Sequence, residues 1–276
     1  MVTPISNQDV LVVGAGIAGM TAAIRAAELG LKVRVLEQGN GDHYLCNSRF
    51  TGGLFHIGMD DMGSEPQTIF DRVMKVTAGQ SRPELAKTLA ANADRTIDWL
   101  AGQGVRLVRV GPDGLRRNSL TPPGVRKTGL NWKWRAGDVM LRTLNARLAA
   151  LGGALDKGVC VAEVLHESGQ VHGLSGQHEG QSVAYLAPVV ILCDGGFQAN
   201  ADLMRRFVSS MPERLLMRNA ETGRGTGLQM AEAVGAKLVG MESFYGHVQY
   251  RDAMTDKSFW PYPVLDSLCV SGLLID

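Results

Sequence analysis

Three glycines at the spacing G-x-G-x-x-G are the first residues in this chain whose types and positions imply chemistry: Gly14, Gly16 and Gly19 of GAGIAG. The first allows a tight turn, the second lets a pyrophosphate approach the main chain, and the third lets a helix pack closely on a strand. Ile17 and Ala18 would open that helix, placing its N-terminal amides and positive dipole end towards the phosphates. Glu37 follows Gly14 at about the ~20-residue offset where a carboxylate accepts hydrogen bonds from an adenosine ribose. An acid there, rather than an arginine, argues against a 2′-phosphate. NADP is therefore the least suited ligand, and FAD and NAD stay open.

These residues make sense only if the elements around them hold them. From Asp9 to Glu37 the chain runs apolar strand, glycine turn, amphipathic helix, second apolar strand, acid. That context turns a common glycine spacing into a dinucleotide-binding signature. A polar, glycine-rich loop follows from Gln38 to Gly63 and contains NSRFTGG. Helical spacing covers Ile69–Ala78 and Pro83–Leu100, and Val105–Val110 alternates like a strand. Gly111–Arg135 reads as irregular and basic, with Arg116, Arg117, Arg126, Lys127, Lys133 and Arg135 around Pro122-Pro123. A helix is expected over Asp138–Leu151.

Short strands at Ala154–Asp156, Val159–His166, Val171–Gly176 and Ser182–Leu186 come next, then the apolar run Val189–Cys193, fit for a buried parallel strand. An antiparallel meander between two strands of a parallel sheet suits flavoproteins better than NAD dehydrogenases, and moves the balance to FAD. CDGGF (Cys193–Phe197) leaves the buried strand, helical spacing returns at Ala201–Val208, and Gly223–Ala236 repeats the pattern of glycine turn and helix. Aromatic residues then cluster around His247, and Gly272–Asp276 begins a strand.

The bulk properties exclude other classes. Net charge is +1, which gives no electrostatic case for nucleic acid or an anionic membrane. Apolar residues make up 45% and charged residues 20%, as in a soluble globular protein. The four cysteines, Cys46, Cys160, Cys193 and Cys269, are far apart and form no C-x-x-C pair, so no disulfide framework or metal site is expected. No apolar run approaches the ~20 residues of a membrane span, and the N-terminus lacks a signal-peptide pattern. The expected location is cytoplasmic.

Taken in order, these motifs resemble the FAD-dependent fumarate reductase and succinate dehydrogenase flavoprotein family, including soluble fumarate reductase, tricarballylate dehydrogenase and ketosteroid dehydrogenase. The resemblance rests on VVGAGIAGMTAAIRAAELG with LEQ, NSRFTGG, the meander, VVILCDGGF with Asn200, and TGRGTGLQMAEAVGA. It implies an α/β fold: a Rossmann-like FAD-binding domain at 1–238, with a parallel sheet and a meander insertion. The start of an α+β substrate-capping domain would lie at 239–276. It further implies that Glu37 holds the ribose, that Gln38 is a cofactor-binding residue, and that Asn47, Ser48, Gly52 and Gly53 line the pyrophosphate and isoalloxazine edge. Val161 would touch adenine through its main chain, and Asp194, Gly195 and Gly196 would pass close to FAD. Asn47 stands where covalent-flavin members carry a histidine, so the FAD is expected to be non-covalent. Leu45-Cys46 replaces a usual glycine pair, and Asp194 a usual threonine; a carboxylate beside the pyrophosphate must point away or pair with an arginine.

The resemblance also implies that the catalytic acid and the final flavin-binding segment lie beyond residue 276. His247 falls at the spacing of a substrate-binding histidine. Arg49 and the basic run are candidate carboxylate binders, and Cys46 is a candidate thiol near the flavin. Ser48 and His43 form no recognisable hydrolase arrangement. The function expected is an oxidoreductase exchanging a hydride between flavin N5 and a CH–CH group next to a carboxylate or ketone, with an electron donor or acceptor of unknown kind. The alternative is a non-catalytic fragment, or half of a split flavoenzyme, binding FAD weakly or with a partner chain. A conventional NAD dehydrogenase ranks third.

Overall fold

The computed structural model describes residues 4–111, 117–124, 132–217, 219–241, 246–249, 251–256 and 265. Strand β1 (Val10–Val13) is buried at every residue, and helix α1 (Ile17–Glu28) follows it directly. Strand β2 (Val33–Glu37) returns parallel to β1, in the register Val10↔Val33 to Val13↔Leu36. The α1 face that meets the sheet carries Met20, Ala23, Ile24 and Ala27, the spacing of one helical stripe. Gly19 lies on that stripe, where a Cβ would collide with the Gly14 carbonyl oxygen. The third glycine of the motif is there for packing.

Strand β3 (Leu54–Phe55) and the helical pair α2 (Pro66–Val76) and α3 (Pro83–Gly102) come next. The two helices pack through Ile69 and Val73 against Ala86, Ala90 and Ala93. Strands β4 (Leu107–Val110) and β5 (Arg117–Leu120) pair antiparallel, and β3 joins the other side of β5. Here the structure differs from the expectation of an irregular stretch between Gly111 and Arg135. RNSL has no alternating apolar signal, and only pairing across β4 and β3 buries Ser119 and Leu120. Residues 112–116 and 125–131, with Arg116, Arg126 and Lys127 of the basic run, lie outside the described residues.

Helix α4 (Ala136–Ala150) packs beside α1, burying Met140, Leu141, Leu144 and Leu148. Strand β6 (Ala154–Lys157) adds to β2 in parallel. The meander follows as β7 (Val159–Glu167), β8 (Gln170–His178) and β9 (Gln181–Leu186), after which β10 (Val189–Leu192) pairs parallel with β1. The parallel sheet therefore has the order β10-β1-β2-β6. Strand alternation divides its residues. Val10, Val12, Val33 and Val35 face α1 and α4, while Leu11, Val13 and Leu36 face Val164, Leu174 and Tyr185 of the meander. Helices α1 and α4 lie on one face and the meander on the other.

Helices α5 (Ala201–Phe207) and α6 (Thr226–Ala233) complete the elements that bear on the site. Phe244, Tyr245, Tyr250, Phe259, Trp260 and Tyr262, and the strand expected at Gly272–Asp276, lie outside the described residues. Among the described residues no helix is long and apolar enough to cross a membrane.

Candidate cofactor site

Strand order sets where a ligand can enter. The chain steps outward from β1 to β2 and β6, then crosses back to place β10 on the opposite side of β1. That reversal is a topological switch point, and the loops leaving β1 and β10 diverge there into a crevice at the strands' C-terminal ends. The two exits stay close: Cys193 N–H donates to the Val13 carbonyl at 2.8 Å, and a Cβ on Gly14 (φ 91°) would stand 2.6 Å from the Cys193 oxygen. Only glycine fits at that turn.

The crevice has a volume of about 450 Å³. Its walls include Gly14, Gly16, Ile17, Ala18, Glu37, Gln38, Asn47, Ser48, Val161, Asp194 and Gly195, eleven of the fifteen residues singled out from sequence for the cofactor. Of the remaining four, Gly19 packs α1 on β1. Gly52 and Gly53 back onto Gly124, Leu120 and Ala136, and Gly196 abuts Gln198 and Gly223. None of the four is a wall residue. His247 is exposed and lines neither this crevice nor its neighbour.

The polar wall residues singled out from sequence are each held by a specific bond. The Glu37 carboxylate accepts the Ala15 N–H at 2.9 Å and the Gly39 N–H at 2.8 Å, one on each oxygen. Burial raises its pKa against those two bonds. Ser48 Oγ accepts the Ile17 N–H at 3.0 Å, so its proton is free to be donated into the crevice. The Ala18 and Gly19 amides belong to the first turn of α1, where no carbonyl of the helix reaches them. Asn47 Oδ1 accepts the Ala220 N–H at 2.9 Å, and Gln38 Nε2 donates to the Thr222 carbonyl at 3.2 Å. Asp194 turns its carboxylate towards α6, accepting the Gly227 N–H at 2.7 Å. The carboxylate that looked misplaced beside a pyrophosphate caps a helix. Val161 sits at a register shift in the β7–β8 pairing, where the local ladder is interrupted.

Two side chains read from sequence as reactive are tied up. Arg49 is 2% exposed, ion-paired with the fully buried Asp138, and stacked 4.3 Å from the Tyr44 ring. It holds the 42–50 loop together and presents no face to a substrate. Cys46 lines the crevice, but burial pushes its thiol up to about 11, leaving it protonated at neutral pH.

Sequence reasoning missed the partners of these residues. Asp138 also accepts from His43 Nδ1 at 2.9 Å and from the Trp134 N–H at 2.7 Å. Tyr44 donates its hydroxyl to the Ala15 carbonyl at 2.7 Å, fixing the turn after β1. No local pattern announces such pairings. A second cavity of about 420 Å³ adjoins the first; Gln38, Leu45, Thr222 and Arg224 belong to both. The glycine turn before α6 was the available signal for Thr222–Arg224.

The switch-point crevice, with its glycine turn, free amides at the start of α1 and buried acid at the end of β2, defines a dinucleotide-cofactor protein of the α/β class. Residues 9–263 match the model of the FAD binding domain family, and the chain belongs to that family. Its cofactor is FAD. The chain is 28% identical over 258 residues to a fumarate reductase (cytochrome) of Shewanella frigidimarina, covering 88% of this chain and 43% of that protein. It is 28% identical over 255 residues to a urocanate reductase of Eggerthella lenta, covering 86% and 39%. The crystal structure of 3-ketosteroid-delta4-(5alpha)-dehydrogenase from Rhodococcus jostii RHA1 shares the fold, with a TM-score of 0.71 at 22% identity, over 87% of this chain and 56% of that one. The chain thus spans less than half the length of these two curated relatives.

The crevice fits the adenosine and pyrophosphate part of FAD. Free amides and the Ser48 hydroxyl suit phosphate oxygens, and Val13, Leu36 and Val161 offer apolar wall to a base. Gly195 (φ 89°) has nothing within 4 Å of where a Cβ would stand, leaving its main chain open to a ligand.

Proposed function

We propose that this chain is the FAD-holding part of an oxidoreductase that exchanges a hydride between flavin N5 and a CH–CH group next to a carboxylate or ketone. The observation that carries it is the switch-point crevice, where α1 amides, Ser48 and Glu37 stand in the order that phosphate and ribose require. The names of the relatives, two reductases of unsaturated carboxylates and a ketosteroid dehydrogenase, support the substrate class.

The bound flavin supplies hydride acceptance and donation. The chain supplies orientation and charge. Glu37 and Gln38 would meet the ribose, Ser48 and the α1 amides the pyrophosphate, and the Val161 main chain the adenine. Asp194 and Gly195 would flank the cofactor from the β10 side. Gly52, Gly53 and Gly196 would act only towards a flavin ring extending beyond the crevice. The FAD would be held without a covalent bond at Asn47, which stands where covalent-flavin members carry a histidine and whose carboxamide has no nucleophilic atom to attach a flavin. Residues 1–238 form the cofactor domain and 239–276 begin a substrate cap, in which His247 would face a substrate carboxylate or carbonyl.

The test is reconstitution of the purified chain with FAD, read by the flavin's visible absorption, followed by turnover of a dicarboxylate or enone with a dye as redox partner. Colour with turnover supports the proposal. Colour without turnover favours the competing reading, a cofactor-binding half that needs a second chain. Binding of NAD with no binding of FAD overturns both.

A further inference from the structure

The segment from Asn219 to Gly225 is a strap pinned at both ends of the crevice. On the β2 side, Gln38 Nε2 holds the Thr222 carbonyl and Asn47 Oδ1 holds the Ala220 N–H. On the β10 side, Ala199 N–H donates to the Gly223 carbonyl at 2.8 Å and Asn200 Nδ2 to the Arg224 carbonyl at 3.0 Å. Gly225 N–H also donates to the Gly196 carbonyl at 3.1 Å. Because β1 lies between β2 and β10 in the sheet, a strap anchored on both sides spans the crevice that Gly14 and Gly16 also line. Gly223 permits the close passage, since a Cβ there would stand 2.8 Å from the Gly196 oxygen.

The strap brings a charge with it. Of the crevice walls, Glu37, Asp194 and Arg224 bear formal charges. Both carboxylates already accept main-chain N–H groups. Arg224 is exposed, forms no side-chain hydrogen bond or ion pair among the described residues, and stands on the wall shared by the two cavities. A net negative wall is a poor host for a pyrophosphate, which carries two further negative charges. A guanidinium on a fixed main chain is the group that offsets them, and its fork suits phosphate oxygens.

We propose that Arg224 is an anion-binding residue of the cofactor site, closing over the pyrophosphate from the strap. This rests on the FAD placement above. The experiment titrates FAD, ADP and adenosine into the apo chain for wild type, R224A and R224K at low and high salt. R224A is expected to weaken FAD and ADP about tenfold, as loss of a charge-assisted bond does. Adenosine affinity should stay unchanged, and the salt dependence of ADP binding should flatten. R224K should recover part of the loss. Unchanged FAD and ADP affinity in R224A overturns the proposal. So does an equal loss for all three ligands, which would mark the strap as structural only. Wild type failing to bind FAD at all would overturn the placement of the cofactor itself, a result read before any variant is compared.

Discussion

The Asp194 carboxylate accepts the Gly227 N–H at 2.7 Å, and Gly227 lacks a side chain because a Cβ there would collide with Asp194 Oδ1. The two residues are one device. Gly225 opens α6 with a left-handed main chain and no side-chain cap of its own, so the cap comes from the end of β10. Asp194→Ala is expected to cost about 1 kcal/mol of stability, the usual worth of a cap. Asp194→Asn keeps an acceptor oxygen for Gly227 and removes a negative charge from the crevice. It should leave the urea midpoint near wild type and tighten FAD binding a few-fold, measured by titration. Weaker FAD binding in Asp194→Asn would mean that the carboxylate helps the ligand.

Glu37 is the clearest case of an acid whose local role limits substitution. Its two oxygens face two N–H donors, Ala15 and Gly39. Glutamine matches its shape but must turn an NH2 towards one of those donors. Glu37→Gln should therefore destabilise the fold by about 1–3 kcal/mol, the cost of a buried donor left without an acceptor. Thermal melting with and without FAD checks this, and the loss should appear in both.

The Arg49–Asp138–His43 cluster predicts a pH dependence. Partial burial, together with the cations Arg142, Arg49 and Lys133, lowers the His43 pKa below its ordinary value of about 6.5. Between the folded and unfolded values the unfolded chain binds the extra proton, so stability rises with pH through that window and is complete above it. His43→Asn keeps a donor for Asp138 and removes the titration. The difference in urea midpoint between pH 5 and pH 7.5 should shrink in that variant. Arg49→Met, which leaves Asp138 buried without its cation, should cost about 3–5 kcal/mol at either pH.

What could be read from the sequence follows how local each role is. Gly14, Gly16 and Gly19 act within one turn, and Glu37 at the end of the next strand, so spacing alone places them. The meander was legible because β7, β8 and β9 alternate and are joined by short turns. Strand β5 was not, because RNSL becomes a strand only through partners contributed by β4 and β3. Arg49 was misread for the same reason. Its type suggests a carboxylate ligand, and that carboxylate proves to be Asp138, set by how α4 packs. The strap that carries Arg224 is fixed by Asn47 and Gln38, far away in the chain.

Asn47 separates two roles that one side chain holds at once. Its Oδ1 accepts the Ala220 N–H, while its Nδ2 remains a donor on a crevice wall. Asn47→Ala removes both, so Ala220 should lose hydrogen-exchange protection and FAD binding should weaken. Asn47→Asp keeps the acceptor for Ala220 but replaces the donor with negative charge. Protection at Ala220 should then stay near wild type while FAD affinity falls about tenfold, as expected when a donor to phosphate is exchanged for a like charge. Hydrogen exchange at Ala220 and FAD titration, taken on the same two variants, give four values. If protection and affinity fall together in Asn47→Asp, the residue acts on the cofactor only through the strap.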